Sequence, residues 1–317
     1  MSRNDSHTAL GPGGEFDIIR ELVDEWGPVA AGIGDDAALL DVPLGHKLVV
    51  STDATIEDVH FRRRWISPHE TGARAATAAL SDIAAMGAVP YGVLVSFIVP
   101  AVWREHLRTF AAGLRDSIGA SGARIIGGNM ARGGAFSCTL TVIGHAANPV
   151  LRSTAHAGDA LFVTGRLGGP GAAVMAWERS ETPPDWARAR FVHPVSRLAE
   201  GQWLAAEGAT AMIDISDGLE ADSLHLAAAS GVHCDITPEL VPRYPGVTAV
   251  EAVASGEEYE LLVALPAARA AEVANAFEKR FGLALTQVGS VRAPDLATAD
   301  LPSRVELRVG HDHFSGQ

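Results

Sequence analysis

KLVVSTDATIEDVHF (47–61), read with SPHETGARAATAALSDIAAMGAVPYGVLVSFIV (67–99), decides the fold of the first half. Residues 47–52 are apolar and β-branched, which predicts a buried strand. Pro68 to Met86 is Ala-rich and closed by Gly87, which predicts a helix. A second strand is expected over Tyr91 to Val99. Upstream, Phe16, Ile19, Leu22 and Val23 fall at helical spacing after a loose tail at 1–13. Downstream, a helix over Val102 to Ile118 precedes strands at Arg124 to Ile126 and Phe136 to Ile143. The order β-α-β-α-β-β is an α+β or split β-α-β pattern.

The second half starts again with a strand at Leu161 to Thr164, a glycine-rich turn and a helix. Strands follow at Ala211 to Ile215, Val232 to Ile236 and Leu261 to Leu265, with helices from Gly218 and over 267–280, then two final strands. Between the halves lies the polar, turn-rich ANPVLRSTAHAGD (147–159). The expectation is an α/β (α+β) protein of two domains, 14–147 and 148–317.

The 317 residues carry 38 Asp+Glu against 25 Lys+Arg, a formal charge of −13. That sign disfavours nonspecific contact with nucleic acid or an anionic membrane. The longest nearly apolar stretch, Gly92 to Trp103, is too short to span a bilayer. The opening MSRNDSHTALGPGG has no apolar core and is expected to be neither signal peptide nor anchor. Two cysteines, Cys138 and Cys234, make no disulfide framework. A soluble, cytoplasmic protein is expected. Only Lys47 and Lys279 are lysines, and no G-x-x-x-x-G-K-[ST] run exists. Any polyphosphate would therefore be neutralised by arginine, backbone N–H groups or metal ions on carboxylates.

Acids stand where apolar surface should be buried: Asp35 and Asp36 in GIGDDAALL, Asp53 at the end of LVVST, Asp82 in ATAALSDIAAMG, Asp214 and Asp217 in MIDISDGLEAD. The helical neighbours of Asp82 are Ala78, Ala79, Ala85 and Met86, so no local ion pair is available. Its alternatives are an exposed helix face, a distant partner or a cation. Asp217 with Glu220 also reads as a capping box, and the remaining acids as turn residues. One shared cause is a set of oxygen ligands, with Ser51 and Thr52, for hard cations such as Mg²⁺. The strand at 124–126 runs into Gly127-Gly128-Asn129, where glycine lets a backbone approach phosphate, although a tight turn explains it equally. GRLGGPG (165–171) is not G-x-G-x-x-G, so nicotinamide or flavin binding is not indicated. Histidine spacing supports no catalytic zinc, and no covalent nucleophile is signalled.

GEFDII (14–19), GIGDDAALL (32–40), STDATIEDVHF (51–61), LSDIAAMGAVP (80–90), IIGGN (125–129), IDISDGL (213–219), SGEEYELL (255–262) and GHDHF (310–314) occur in this order. Together they resemble the thiamine-monophosphate kinases of the aminoimidazole ribonucleotide synthetase-like superfamily. The resemblance implies two α/β domains, with a homodimer formed through the N-terminal ones. It implies ATP-dependent phosphorylation of thiamine monophosphate to thiamine diphosphate, a step of thiamine diphosphate biosynthesis, by Mg²⁺-assisted direct in-line transfer. Several Mg²⁺ ions would be held by Asp36, Ser51, Thr52, Asp53, Asp82, Asn129, Asp214 and Asp217, with Asp53, Asp82 and Asp217 catalytic. ATP would meet Gly128, Asn129, Arg152 and Ser216; the thiamine side would meet His60, Glu257 and His311. Departures from the family pattern are Asn129 for Asp, Ser255 for Gly, Glu258 for Asp, His311 for the common Tyr or Trp, and FVHPVSR (191–197), which follows the family's H-x-x-P-x-x-R segment only loosely. Among superfamily rivals, aminoimidazole ribonucleotide synthetase is the nearest; a non-catalytic cation-binding scaffold is the reading from another class.

Overall fold

The computed structural model describes residues 14–33 and 37–294. Asp35, Asp36, His311 and the last expected strand lie outside them. The described residues form two compact units: those up to 83 with 88–147, and 84–87 with those from 148 to 294.

In the first unit, α1 (Gly14–Trp26), β1 (Lys47–Ile56), α2 (Pro68–Ala85), β2 (Val89–Val99), α3 (Leu107–Ser121), β3 (Arg124–Arg132) and β4 (Ser137–Ala146) follow in order. The sheet order is β1-β4-β2-β3, with β2 and β3 parallel and the other pairs antiparallel. Helix α2 starts where sequence chemistry allows it. Ser67 and Glu70 cap each other's backbone N–H, and Pro68 takes the first turn, which needs no donor. It ends before Gly87, whose φ is +61°. Helices α2 and α3 approach closely because each offers a glycine: a Cβ on Gly72 would lie 2.1 Å from the Phe110 carbonyl oxygen, and one on Gly113 2.0 Å from that of His69.

One face of this sheet is filled. Val93, Val95, Phe97, Leu140 and Val142 are buried there, beside Phe61, Phe110, Trp103 and Phe136. Trp103 stacks on Phe136 with centroids 3.9 Å apart. Each such side chain contributes roughly 1.5–3 kcal/mol by burial. The opposite face is open: Leu48, Val50, Val89 and Ile98 are exposed on it. Helix α1 is fastened to α3 by Trp26 Nε1–H donating to the Ala111 carbonyl (3.1 Å) and by Arg108 and Arg115 on Glu25.

The helix expected from Val102 begins at Leu107 and runs to Ser121, and two details at candidate residues also differ from the sequence reading. Asp53 lies inside β1 rather than at its end, because the ladder with β4 continues to Ile56. The double glycine is not a turn: β3 runs through it to Arg132, with a bulge opposite Val93 and Leu94. Gly128 is required by packing, since a Cβ there would lie 1.9 Å from the Val95 carbonyl oxygen.

The second unit contains β5 (Asp159–Thr164), α4 (Gly169–Glu178), α5 (Asp185–Val192), α6 (Leu198–Ala206), β6 (Ala211–Asp214), α7 (Leu219–Ser230), β7 (His233–Ile236), α8 (Ala249–Ala254), β8 (Leu261–Pro266), α9 (Ala267–Phe281) and β9 (Leu285–Arg292). Its sheet, ordered β6-β8-β5-β9-β7, is wholly antiparallel. Leu161, Val163, Ile213, Leu262 and Val288 form its core with Leu219 and Leu226 of α7. The end of β5, the end of β6 and the start of β8 come to one rim of the sheet. That rim carries the chemistry.

Candidate functional site

In the first unit, register decides which groups meet. Ser51 and Asp53 pair with the buried Val142 and Leu140, so both point to the filled face, where α2 lies. Asp82 on α2 is half-buried there and accepts a hydrogen bond from Ser51 Oγ at 2.5 Å. Ser51 is thus a distant polar partner for Asp82. Thr52 points the other way, its Oγ1 lying 3.2 Å from that of Thr141. Asn129 pairs with Ser96 and lies on that same open side. Gly128, Asn129, Ser96, Thr141, Leu94 and Trp26 line a cavity of about 770 Å³ within this unit. His60 turns its Nδ1 back to accept from the Ile56 backbone N–H at 3.1 Å.

In the second unit, Asp214 ends β6 almost fully buried, and Ser216 and Asp217 form the turn into α7. The capping box read from Asp217 and Glu220 is not formed. Gly218 is the N-cap, with φ of +114°, and no side chain caps the helix. Asp222 instead accepts from the backbone N–H groups of Ser216 (3.0 Å) and Asp217 (3.1 Å). Burial, then the charges of Asp214 and Asp217, push the Asp222 carboxyl up to about 8.

The segment SGEEYE packs its backbone against this turn. Glu257 N–H donates to the Ser216 carbonyl at 2.6 Å and Tyr259 N–H to that of Ile215 at 2.8 Å. A Cβ on Gly256 would lie 2.7 Å from the Ser216 oxygen, so only glycine fits. Glu257 and Tyr259 both hold positive φ, +59° and +52°. That conformation costs roughly 1–2 kcal/mol per residue and needs external support. Glu260, 1% exposed, supplies part of it. It takes both arms of Arg197 at 2.7 Å, Arg190 at 3.1 Å and the Thr164 hydroxyl at 2.6 Å. Arg152 is exposed, and its carbonyl accepts from Ser230 Oγ.

The pairing of Arg190 and Arg197, both half-buried, with the buried Glu258 and Glu260 escapes sequence reasoning. These partners stand 63–70 positions apart, and neither α5, which carries Arg190, nor α6, which Arg197 precedes, has a clean apolar period. One signal was present: Glu258 and Ser255 are two departures from the family pattern, and they touch, Ser255 Oγ donating to Glu258 Oε1 at 2.6 Å. Burial pushes the Glu258 carboxyl up to about 8. The folded state therefore holds this proton where the unfolded chain, with a value near 4.5, releases it. Stability from this group is full below about 4.5 and falls as pH rises towards 8. Glu258→Gln is expected to flatten that decline, measured as denaturant midpoint against pH.

Residues 34–146 match the model of the AIR synthase related protein N-terminal domain, and residues 156–300 that of the C-terminal domain. Thiamine-monophosphate kinase of Mycobacterium tuberculosis is 38% identical over 230 residues, 71% of this chain and 69% of that protein. The chain belongs to the thiamine-monophosphate kinases of the AIR synthase related family. The crystal structure of thiamine-monophosphate kinase from Stenotrophomonas maltophilia K279a is 28% identical, covers 90% of this chain and 95% of its own, and superposes with a TM-score of 0.78. A second structure, "AaThiL complexed with AMPPCP and TMP", is 27% identical over 88% of this chain and 90% of its own, with a TM-score of 0.70. Family and fold are the ones the motifs imply.

Proposed function

We propose that this protein transfers the γ-phosphoryl group of ATP to thiamine monophosphate, giving ADP and thiamine diphosphate. The observation that carries it is the likeness, over most of the chain, to a family member whose structure holds AMPPCP and TMP. The acceptor phosphate oxygen is already ionised near neutral pH, so no side chain has to act as general base. Positioning and charge neutralisation remain as the protein's tasks.

The residues present fit a hard divalent cation. Their donors are oxygens only, the donor set a hard cation takes. Among the described residues no three His, Cys, Asp or Glu side chains form a ready cage. One or two carboxylates at a time suit Mg²⁺, which keeps waters and binds substrate phosphates. Asp53 and Asp82 in one unit, and Asp214 and Asp217 in the other, are the proposed side-chain ligands, with Ser51 beside them; Asp36 is proposed from its motif alone. When bound, Mg²⁺ would screen the repulsion between the two phosphate chains. Ser51 fixes the rotamer of Asp82, and Asp222 fixes the turn that presents Asp217. Thr52 and Asn129 belong to the open side of their sheet. Asn129 and Gly128 are proposed for the nucleotide, supported by the cavity that these two line within the first unit; Ser216 and Arg152 are proposed for it from their motifs. Glu257 and His60 are proposed for the thiamine side, with His311 outside the described residues.

Release of ADP from ATP, with and without thiamine monophosphate and Mg²⁺, tests the proposal. ADP formation that does not depend on thiamine monophosphate would refute it, as would preference for the substrate of aminoimidazole ribonucleotide synthetase.

We also propose a cytoplasmic homodimer built on the open face of the first unit's sheet. Leu48, Val50, Val89 and Ile98 supply an exposed apolar face there. Val50, 58% exposed on the edge strand β1, is the place to test it. Val50→Asp is expected to halve the mass in solution, read by light scattering, while the far-UV spectrum stays unchanged. Among the described residues no helix is long and apolar enough to cross a membrane.

A further inference from the structure

The N-terminus of α4 is made of Gly168, Gly169, Pro170 and Gly171, and none of them has a side chain that can cap it. The orphan amides of such a terminus need acceptors. They find them 84–90 positions away. Gly168 N–H donates to Glu258 Oε1 at 2.5 Å, and Gly171 N–H donates to Ser255 Oγ at 3.1 Å. Ser255 in turn donates to the same Oε1 at 2.6 Å, closing a relay between the two amides. Glu258 is fully buried, and its second oxygen, Oε2, has no hydrogen-bond partner among the described residues. It faces Arg190 at 3.7 Å, and Arg190 also binds the Glu258 carbonyl at 2.8 Å.

We propose that Ser255 and Glu258 are positioning residues for the phosphoryl transfer: a cap supplied in trans to α4 that locks the 255–259 turn. This rests on the function proposed above. The turn carries two non-glycine residues at positive φ, and on its other side it docks on Ser216 and Ile215. Strain of this kind persists only where the surroundings over-determine it. The clamp uses Oε1 as an acceptor and so works with the carboxyl ionised or neutral. A carboxylate shorter by one methylene cannot reach both Gly168 N–H and Ser255 Oγ. The glycine run at 165–171 is therefore a seat already filled by the protein's own carboxyl, rather than a site open to a ligand phosphate.

The test is steady-state kinetics with ATP and thiamine monophosphate, below the melting midpoint of each variant, together with hydrogen exchange at the Gly168 and Gly171 amides. Glu258→Asp is expected to lower kcat about 10–100-fold, the range of a small misplacement at a reacting centre, with KM changing less. Exchange at both amides should accelerate. Glu258→Gln keeps the acceptor oxygen and should retain kcat within about threefold. Ser255→Gly with Glu258→Asp should lose less than the product of the two single losses, because the pair acts as one unit. Wild-type kcat in Glu258→Asp would overturn the proposal, and so would a lost kcat with both amides still protected. If the wild type transfers no phosphate to thiamine monophosphate, the functional reading fails, while the exchange comparison still decides the clamp.

Discussion

Asp82→Asn is expected to lower kcat by about 10²–10³-fold at saturating Mg²⁺ and ATP, the range seen when one preorganised charge-stabilising group is removed. The substitution keeps the shape of the side chain and one carbonyl oxygen. That oxygen still accepts from Ser51 Oγ, so the bond seen at 2.5 Å survives in weaker form. Asp82 is half-buried and its neighbours on α2 are alanines, so no packing is disturbed. The cost to stability should stay within about 1.5 kcal/mol, the net value of one hydrogen bond. What is removed is a unit of negative charge. If that charge holds a cation, the Mg²⁺ concentration for half-maximal rate should rise along with the fall in kcat. Titrating Mg²⁺ at fixed ATP and thiamine monophosphate separates the two outcomes. A variant that melts normally and turns over at the wild-type rate would remove Asp82 from the mechanism. Asp53→Asn is expected to behave alike, since Asp53 projects from the same face of β1 two residues after Ser51.

Asp82 also shows what was legible beforehand. An acid among alanines, with no partner at i±3 or i±4, asks for an explanation that only tertiary structure can supply. Local patterns elsewhere were equally sound guides: α2, β2 and β8 lie where period and composition put them. They failed where the deciding contact was remote. Asp53 reads as the end of a strand because acids disfavour strands, but ten paired residues on β4 hold β1 through it. Asp217 reads as an N-cap because D-x-x-E is a local device. Asp222 outcompetes it by taking the Ser216 and Asp217 amides itself, while Gly218 supplies a φ that aspartate adopts poorly. The double glycine reads as a turn, yet it is a strand pressed on the Val95 carbonyl.

The same remoteness governs the largest expected loss of stability. Arg197→Met should destabilise the second unit by about 3–5 kcal/mol, the usual cost of breaking a buried ion pair from one side. Methionine is close to arginine's stem in volume, so packing is largely preserved and the loss is electrostatic. It leaves Glu260, 1% exposed, with Arg190 and Thr164 but without the two-pronged bond that fills both carboxylate oxygens. Arg197→Lys should recover little of this, because an ammonium offers no fork. Arg197→Met combined with Glu260→Met should be more stable than the single variant, since the buried Glu260 carboxylate is then gone while the half-buried Arg190 keeps its bond to the Glu258 carbonyl. Denaturant midpoints of the three proteins give that order directly. If the double variant were instead the least stable, the pair would be a net source of stability. Activity should follow a different order. Glu260 is the last residue of the 255–260 segment, and its carbonyl accepts from Ile215 N–H at 2.8 Å, so it ties that segment to the Asp214–Ser216 turn. The double variant should therefore regain its midpoint while its kcat stays low. Stability and geometry part company at this residue, because a methionine pair can fill the volume of an ion pair but cannot aim the strand end that Thr164 and the two arginines hold.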